Sequence, residues 1–582
     1  MLIDSRSFTG ASVQADICIV GAGPAGITLA MQLAGNGLDV CLIESGGLQP
    51  DPSTLRLNRG YNLGLPYSFG PGDRSRHLGG SSNCWGGFSQ PWNEWDHFDR
   101  PWVRDSGWPF LLDELQPYYE RARNLLKIDR NQFRIDWWSE RLAGPDLARF
   151  PLDKHNLEDA MSALTPIRFG EYWREALAQS RRIRVLLWAN ATELVADEPA
   201  THIQKLRVRT LAGNAIDVDA RRFVLACGGI ETPRLMLASR AAMPAGIGNG
   251  HGLVGRYFMD HPRLRWGRVQ LREAFRGNRL YDVAYNYIHT PLRHGDLQGS
   301  AVFRLPYEVQ RSERLTNSQI WLRSLFRGET AEIVNSLVRM RRRLRAETPA
   351  GFEVLADLKT LGRHPIASGL TALGYLSGSH ALVDRIVMEG IFEPEPNPES
   401  RVSLSGDLDA VGMPRAQIDW RLTANDRRAM ERTMHLVADE LERQDIADVD
   451  READPAPGTE RAVEGTWHYM GTTRMHASPA RGVVDANCKV HGMGNLFIAG
   501  SSVFPTGGAN HPTIQLLALA YRLGDHLIAG HGDRPVVAQT KHSAGETGMA
   551  ANPPSADTPA AARPEAPDGA ASKDRDQPSK TL

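Results

Sequence analysis

The residues best placed for chemistry are Gly21-Ala22-Gly23-Pro24-Ala25-Gly26 and Glu44, which lies 18 residues after Gly26. An apolar run, Asp16–Val20, ends directly on Gly21. Ile27–Leu33 reads as an apolar helix, and Asp39–Ile43 as a second strand ending at Glu44. Gly21 permits a tight turn, Gly23 lets backbone approach a pyrophosphate, and Gly26 lets helix and strand pack closely. The helix N-terminus supplies free N–H groups and partial positive charge. A carboxylate at Glu44 accepts from ribose hydroxyls and repels a 2′-phosphate. This is a dinucleotide site, and the pattern alone does not separate FAD from NAD.

Three later segments could join it. Leu78–Gly87 holds Gly79-Gly80-Ser81-Ser82-Asn83-Cys84, dense enough in glycine for main-chain N–H groups to approach a flat ring or phosphates. In isolation it reads first as a mobile surface loop. Gly494–Ser502 holds a short strand, Leu496–Ala499, that ends on Gly500. It leads through His511 into an apolar helix predicted over Pro512–Ile528, whose start suits a partially negative group. His468, beside Trp467, reads from its own segment as a packed core histidine before a catalyst, and His261 more so. The histidines show no metal-ligand spacing, so no metal site is expected.

The elements that must position these residues fall into an α/β pattern. Strands predicted at Ile183–Trp188, Ile203–Leu211 and Arg222–Ala226, with a helix at Thr232–Ala238, imply a parallel sheet covered by helices. Residues 255–460 differ: Leu264–Leu271, Val402–Leu404 and Ala416–Trp420 alternate and suggest an antiparallel sheet, with a helical insertion at about 315–385. The basic run Arg339–Arg345 reads as a solvated or interface helix face. From 461 the chain turns glycine-rich and apolar again. Residues 532–582 have the composition of a disordered tail. The expected domains are therefore 12–254, 255–460 and 461–531.

A net charge of −1 gives no field for nucleic acid, and no stretch approaches about 18 uncharged apolar residues. Five widely spaced cysteines suit reduced thiols, and Met1–Arg6 lacks the apolar core of a signal peptide. The expectation is a soluble cytoplasmic protein without a membrane span.

In order and content these motifs resemble the glucose-methanol-choline (GMC) oxidoreductases: GAGPAG with Glu44, the GGSS loop, LACGGIETPRL at 225–235, HxxGTTRM, and GNLFIAGSSVFPT before the HPT helix start. The match spans about 12–531 and looks most like the bacterial sugar and glycoside branch. The resemblance implies a Rossmann-like FAD-binding domain, discontinuous in sequence, with an α+β substrate domain on an antiparallel sheet. It implies FAD held by Gly21, Gly23, Pro24, Ala25, Gly26 and Glu44, with Ala191 near adenine. Gly80, Ser81, Asn83, Gly500, Ser501 and Thr513 would lie around the flavin. His468 falls at the family's catalytic histidine and His511 at its partner. Cys84 stands where related enzymes carry a flavin-linked histidine, so a histidyl link there is excluded and noncovalent FAD is expected ahead of a cysteinyl link. The implied activity is oxidation of a secondary alcohol of a sugar or glycoside to a ketone. The alternatives are a primary or non-sugar alcohol going to an aldehyde, and a flavin-containing lyase. The implied partners are a small alcohol or sugar, oxygen or an electron carrier, and an oligomer is possible.

Overall fold

The computed structural model describes residues 1–67, 74–142, 144–289, 292–344, 354–453 and 463–530. The tail expected over 532–582 and Arg345 of the basic run lie outside the described residues.

Ser12–Val20 forms a strand between Val40–Ile43 and Ala215–Leu225, both parallel to it. Ile183–Leu187 and Leu2–Asp4 extend the sheet on one side, and Leu496–Ile498 pairs in parallel with Ala215–Leu225. Beyond Ala215–Leu225 the sheet turns antiparallel through Ile203–Arg209 and Asn190–Ala196. Strands from both ends of the chain thus build one sheet. Its apolar runs are buried among Ile17–Val20, Val40–Ile43 and Phe223–Leu225. Helix Thr513–Ala529 packs against both Pro24–Gly35 and Gln116–Leu126.

The second sheet is antiparallel, in the order Ala447–Asp450, Arg263–Leu271, Val383–Phe392, Ser318–Phe326, Leu297–Arg304, Glu158–Leu164 and Phe88–Ser89. Successive strand residues point to opposite faces, and here the two faces have different tasks. Leu264, Trp266, Ile320, Leu322, Met388 and Phe303 join Met434 and Val437 of helix Ala424–Arg443 in a second core. The intervening residues Arg263, Arg265, Gln319, Trp321, Arg323, Glu389 and Ile391 line a cavity. Helix Ala331–Leu344 adds Ala331, Val334, Asn335, Val338 and Arg339 to that lining, a helical i, i+3, i+4, i+7, i+8 stripe.

Several elements depart from the sequence-based expectation. Phe88–Ser89 and Glu158–Leu164 fall inside 12–254 but pair in the second sheet. Val402–Leu404 and Ala416–Asp419 leave that sheet and pair together, next to Tyr61–Asn62. The expected helical insertion opens instead with a central strand, Ser318–Phe326, and its helices begin at Ala331. Arg339 and Arg343 of the basic run both pair with the buried Asp357 of helix Val354–Arg363, so part of that run ties two helices together. Among the described residues no helix is long and apolar enough to cross a membrane.

Candidate active site

Gly21, at φ +107°, closes the first strand, and a Cβ there would sit 2.5 Å from the Ala226 carbonyl oxygen. A Cβ on Gly26 would lie 1.9 Å from the Gly21 carbonyl oxygen. Gly26 therefore sets the strand-to-helix approach, and it lies outside the cavity lining. Gly26→Ala is expected to force the first helix outward and cost at least about 1–3 kcal/mol. Lowered thermal stability together with lost flavin absorbance would show it.

The GGSS loop docks on this turn: Gly79 N–H donates to the Ala22 carbonyl at 2.9 Å, and a Cβ on Gly80 would lie 2.8 Å from Gly23 Cα. Asn83 is not among the residues lining the cavity, and its Nδ2 donates to the Leu78 carbonyl at 3.0 Å, which holds the loop. Glu44 is buried at the end of its strand and accepts from Ala22 N–H at 3.1 Å and Gly46 N–H at 3.0 Å. Burial raises its carboxyl pKa, and these two bonds oppose that shift.

One continuous cavity of about 1220 Å³ starts at Gly21–Ala25, Glu44 and Ala189–Ala191. It continues past Gly80–Ser82, Cys84–Phe88, Gly228–Glu231, Gly500, Ser501 and His511–Thr513 to His468 and the second sheet. Gly228 and Gly500 line it at φ +77° and +129°, and a Cβ on either would meet nothing within 4 Å. The cavity thus keeps open, side-chain-free space next to backbone, as a long dinucleotide with a flat ring system requires. Helix Thr513–Ala529 opens on it, with Pro512 as the residue before the first turn. The residues present fit FAD.

At the far end the rings of His468 and His511 lie 5.0 Å apart at 75°. His511 stacks on Phe88 at 5.0 Å, and its Nδ1 is buried without a hydrogen-bond partner. His468 is held by residues that the sequence does not mark. His261 Nε2 meets the Gly507 carbonyl at 3.2 Å, and since a carbonyl only accepts, this nitrogen carries the proton. In neutral His261, Nδ1 is then an acceptor. It lies 2.9 Å from His468 Nδ1, which must donate. Thr466 agrees: its hydroxyl donates to Asp260 Oδ1 at 2.8 Å or the His261 carbonyl at 3.0 Å, leaving its oxygen to accept from His468 Nδ1–H at 3.1 Å. This assignment leaves His468 Nε2 unprotonated.

Asp260 organises the turn that presents His468. Its carboxylate accepts from the N–H groups of Thr466 at 3.0 Å, Trp467 at 2.9 Å and His468 at 2.8 Å, and from Tyr67 Oη at 2.5 Å. Three successive N–H groups converging on one anion form a nest, and a nest needs a left-handed residue. Trp467 supplies it at φ +64°.

Burial pushes the His468 pKa well below the ordinary histidine range, with His261, His511 and Arg263 adding to the effect. Burial also lowers His511 to about 3, and His77 and His97 to about 4 each. These groups stay neutral when folded and charge near pH 6.5 when unfolded. Below pH 6.5 the unfolded chain binds more protons, so stability falls as pH falls. For His77 and His97 the loss is on the order of 2 kcal/mol each by pH 5. Thermal melts between pH 7.5 and 5 should show a falling midpoint, most of it below about pH 6.5.

A family model described as GMC oxidoreductase matches residues 396–520, and one described as FAD binding domain matches 14–51. The chain is 24% identical to 2-methyl-1,2-propanediol dehydrogenase of Mycolicibacterium austroafricanum, over 90% of this chain and 97% of that protein. It is 26% identical to 6'''-hydroxyparomomycin C oxidase of Streptomyces lividus, over 89% of this chain and 91% of that protein. In fold it matches formate oxidase at a TM-score of 0.55 and 19% identity, covering 90% of this chain and 100% of that one. Residues 396–520 thus match the GMC oxidoreductase domain, and with the glycine cradle and the paired histidines on one cavity the chain is an FAD-dependent oxidoreductase acting on CH–OH groups.

Proposed function

We propose that the protein oxidises a secondary alcohol of a sugar or glycoside to a ketone, with His468 as the base. The observation that carries this reading is the hydrogen bonding of His468 Nδ1 to His261 and Thr466, which leaves Nε2 free to accept a proton beside His511, on the cavity that runs to the glycine cradle. Bound FAD supplies a hydride acceptor at flavin N5, and the protein binds, orients and deprotonates. An alcohol C–H gives up hydride only as its O–H proton leaves. His468 Nε2 takes that proton, and His468 Nδ1–H stays donated to His261, so the ring keeps its orientation as it becomes charged. His511, on the other side, orients the hydroxyl. Gln319 lines the cavity, and its amide, held by the buried side chains of Gln90 and Asn510 behind it, gives that wall a polar group suited to a further hydroxyl.

The adenosine end is assigned to Glu44 and Ala191, the pyrophosphate to Gly21, Gly23, Pro24 and Ala25, and the flavin edges to Gly80, Ser81, Gly500, Ser501 and Thr513. We assign noncovalent attachment, since Cys84 replaces the linking histidine. Reoxidation falls to oxygen or an electron carrier, and the cytoplasm remains the proposed location.

A second reading is favoured by one relative. In 2-methyl-1,2-propanediol only the primary carbinol carbon carries hydrogen, so a dehydrogenase named for it points to aldehyde formation. NMR of products from methyl glucosides, with an artificial acceptor, separates the two. A keto-sugar supports the proposal, and an aldehyde transfers it to the second reading.

A further inference from the structure

We infer that the substrate carries an anionic group, a carboxylate in the first instance, which Arg263 holds next to the histidine pair. This names the substrate class of the alcohol oxidation proposed above and rests on that reading.

Arg263 is placed by the same segment that holds the base. It lies two residues after His261 and opens the strand Arg263–Leu271, on the cavity face of the sheet. Its backbone is fixed on both sides: it pairs with Ile391 in the sheet and exchanges hydrogen bonds of 2.8 and 3.0 Å with Glu464, close to His468 in the chain. The side chain therefore starts from a rigid point between the base and the outer part of the cavity.

Every other arginine on this end of the cavity has an acid. Arg265 pairs with Glu389 at 2.8 Å, Arg323 with Glu329 at 3.2 Å, and Arg339 with Asp357 at 2.5 Å. Arg263 has no ion pair or side-chain hydrogen bond among the described residues, and its Nε is buried without a partner; Glu389 feels its charge, but that carboxylate is already paired with Arg265. Glu464 lies opposite it in register but is exposed and outside ion-pair distance. An unpartnered Nε is shared with Arg100, Arg174, Arg323 and Arg474; what sets Arg263 apart from the other arginines on the cavity is that none of its side-chain nitrogens has an acceptor among the described residues, so its fork is open to one from outside the chain. Its charge is felt at both histidines, which it helps to hold neutral.

The guanidinium fork matches a carboxylate with two parallel N–H···O bonds. The reacting carbinol must lie at His468 Nε2, so both groups belong to one small molecule. Hydroxy acids and sugar acids, such as uronates and aldonates, meet that demand. An amino sugar would bring like charge to Arg263.

The test is anaerobic flavin reduction by the holoenzyme with matched pairs, D-glucuronate against D-glucose and D-gluconate against D-glucitol, with D-glucosamine as the cationic control. The acids should exceed their neutral partners in kcat/KM by about 10- to 100-fold, and glucosamine should be the poorest. Arg263→Gln should bring the acid-to-neutral ratio close to one, mainly through KM, and Arg263→Lys should restore part of it. Neutral partners as good as the acids, or a ratio unchanged in Arg263→Gln, would overturn the inference. A binding arm separates this failure from that of the alcohol reading. Malonate, which has no carbinol, should perturb the flavin spectrum saturably in the wild type and far more weakly in Arg263→Gln. That result with no turnover of any alcohol would support the anion site and sink the alcohol reading. No perturbation in the wild type would overturn the anion site.

Discussion

His468→Gln is expected to retain FAD and to slow flavin reduction by about 10²- to 10⁴-fold, the span that a positioned general base contributes. Glutamine fills comparable space and can still donate toward His261, but its amide cannot take a proton from an alcohol. The loss should appear in the rate of reduction at saturating substrate, with little change in bound flavin. His468 also sets the pH dependence. Its pKa lies well below the usual histidine range, so the neutral base is present on both sides of pH 6.5. Flavin reduction in the wild type should stay flat as pH drops through 6.5 and decline only at lower pH. A decline centred at 6.5 or above would show that His468 is not the group being titrated. His511→Ala should cost less, since it removes an orienting group and leaves the base.

Asp260→Asn is the second large effect. Four donors besides the Thr466 hydroxyl converge on its two oxygens, and an amide can accept at only one end while thrusting N–H bonds at the other. At least one buried donor is orphaned, and the nest around left-handed Trp467 loses its anion. We expect a stability loss of about 3 kcal/mol, since bonds to charged groups contribute about 1.5–3 kcal/mol each. At a temperature where the variant is fully folded, kcat for flavin reduction should still fall while KM changes little. A merely structural role would lower the melting temperature and leave kcat intact, so the two readouts separate the roles.

Legibility from the sequence followed distance along the chain. The nucleotide cradle is local: strand, glycine turn, helix and Glu44 lie within about thirty residues, and each glycine's task can be read from the turn it must make. Gly26 has the packing task that the turn assigns it, against the Gly21 carbonyl; it is the resemblance that also counts it among the residues holding FAD, and it lies off the cavity lining. Asn83 shows the same thing, since its amide closes its own loop. The support for His468 could not be read at all. Asp260 and His261 lie more than 200 residues from the segment they hold, in a stretch that resembles ordinary core packing. The expectation that His261 is buried and hydrogen-bonded is right as far as it goes, but what it bonds to is the base. The second sheet was half legible. Alternation marks Leu264–Leu271 as a strand, but alternation does not name partners, so Glu158–Leu164 and Ser318–Phe326 could not be assigned to it. Nor does it say which face meets a core and which a cavity. The polar residues of Ser318–Phe326 become meaningful only once Gln319 and Arg323 are seen on the cavity side.

The measurement that bears most directly on the whole account is an anaerobic absorbance titration of the holoenzyme, wild type and His468→Gln, against sugars, sugar acids, methyl glucosides and a benzylic alcohol. A sugar-class alcohol should remove the oxidised-flavin band in the wild type, with one carbonyl formed per flavin reduced, and His468→Gln should bleach far more slowly. Consumption of substrate with the flavin left oxidised, or equal bleaching in both proteins, would contradict it.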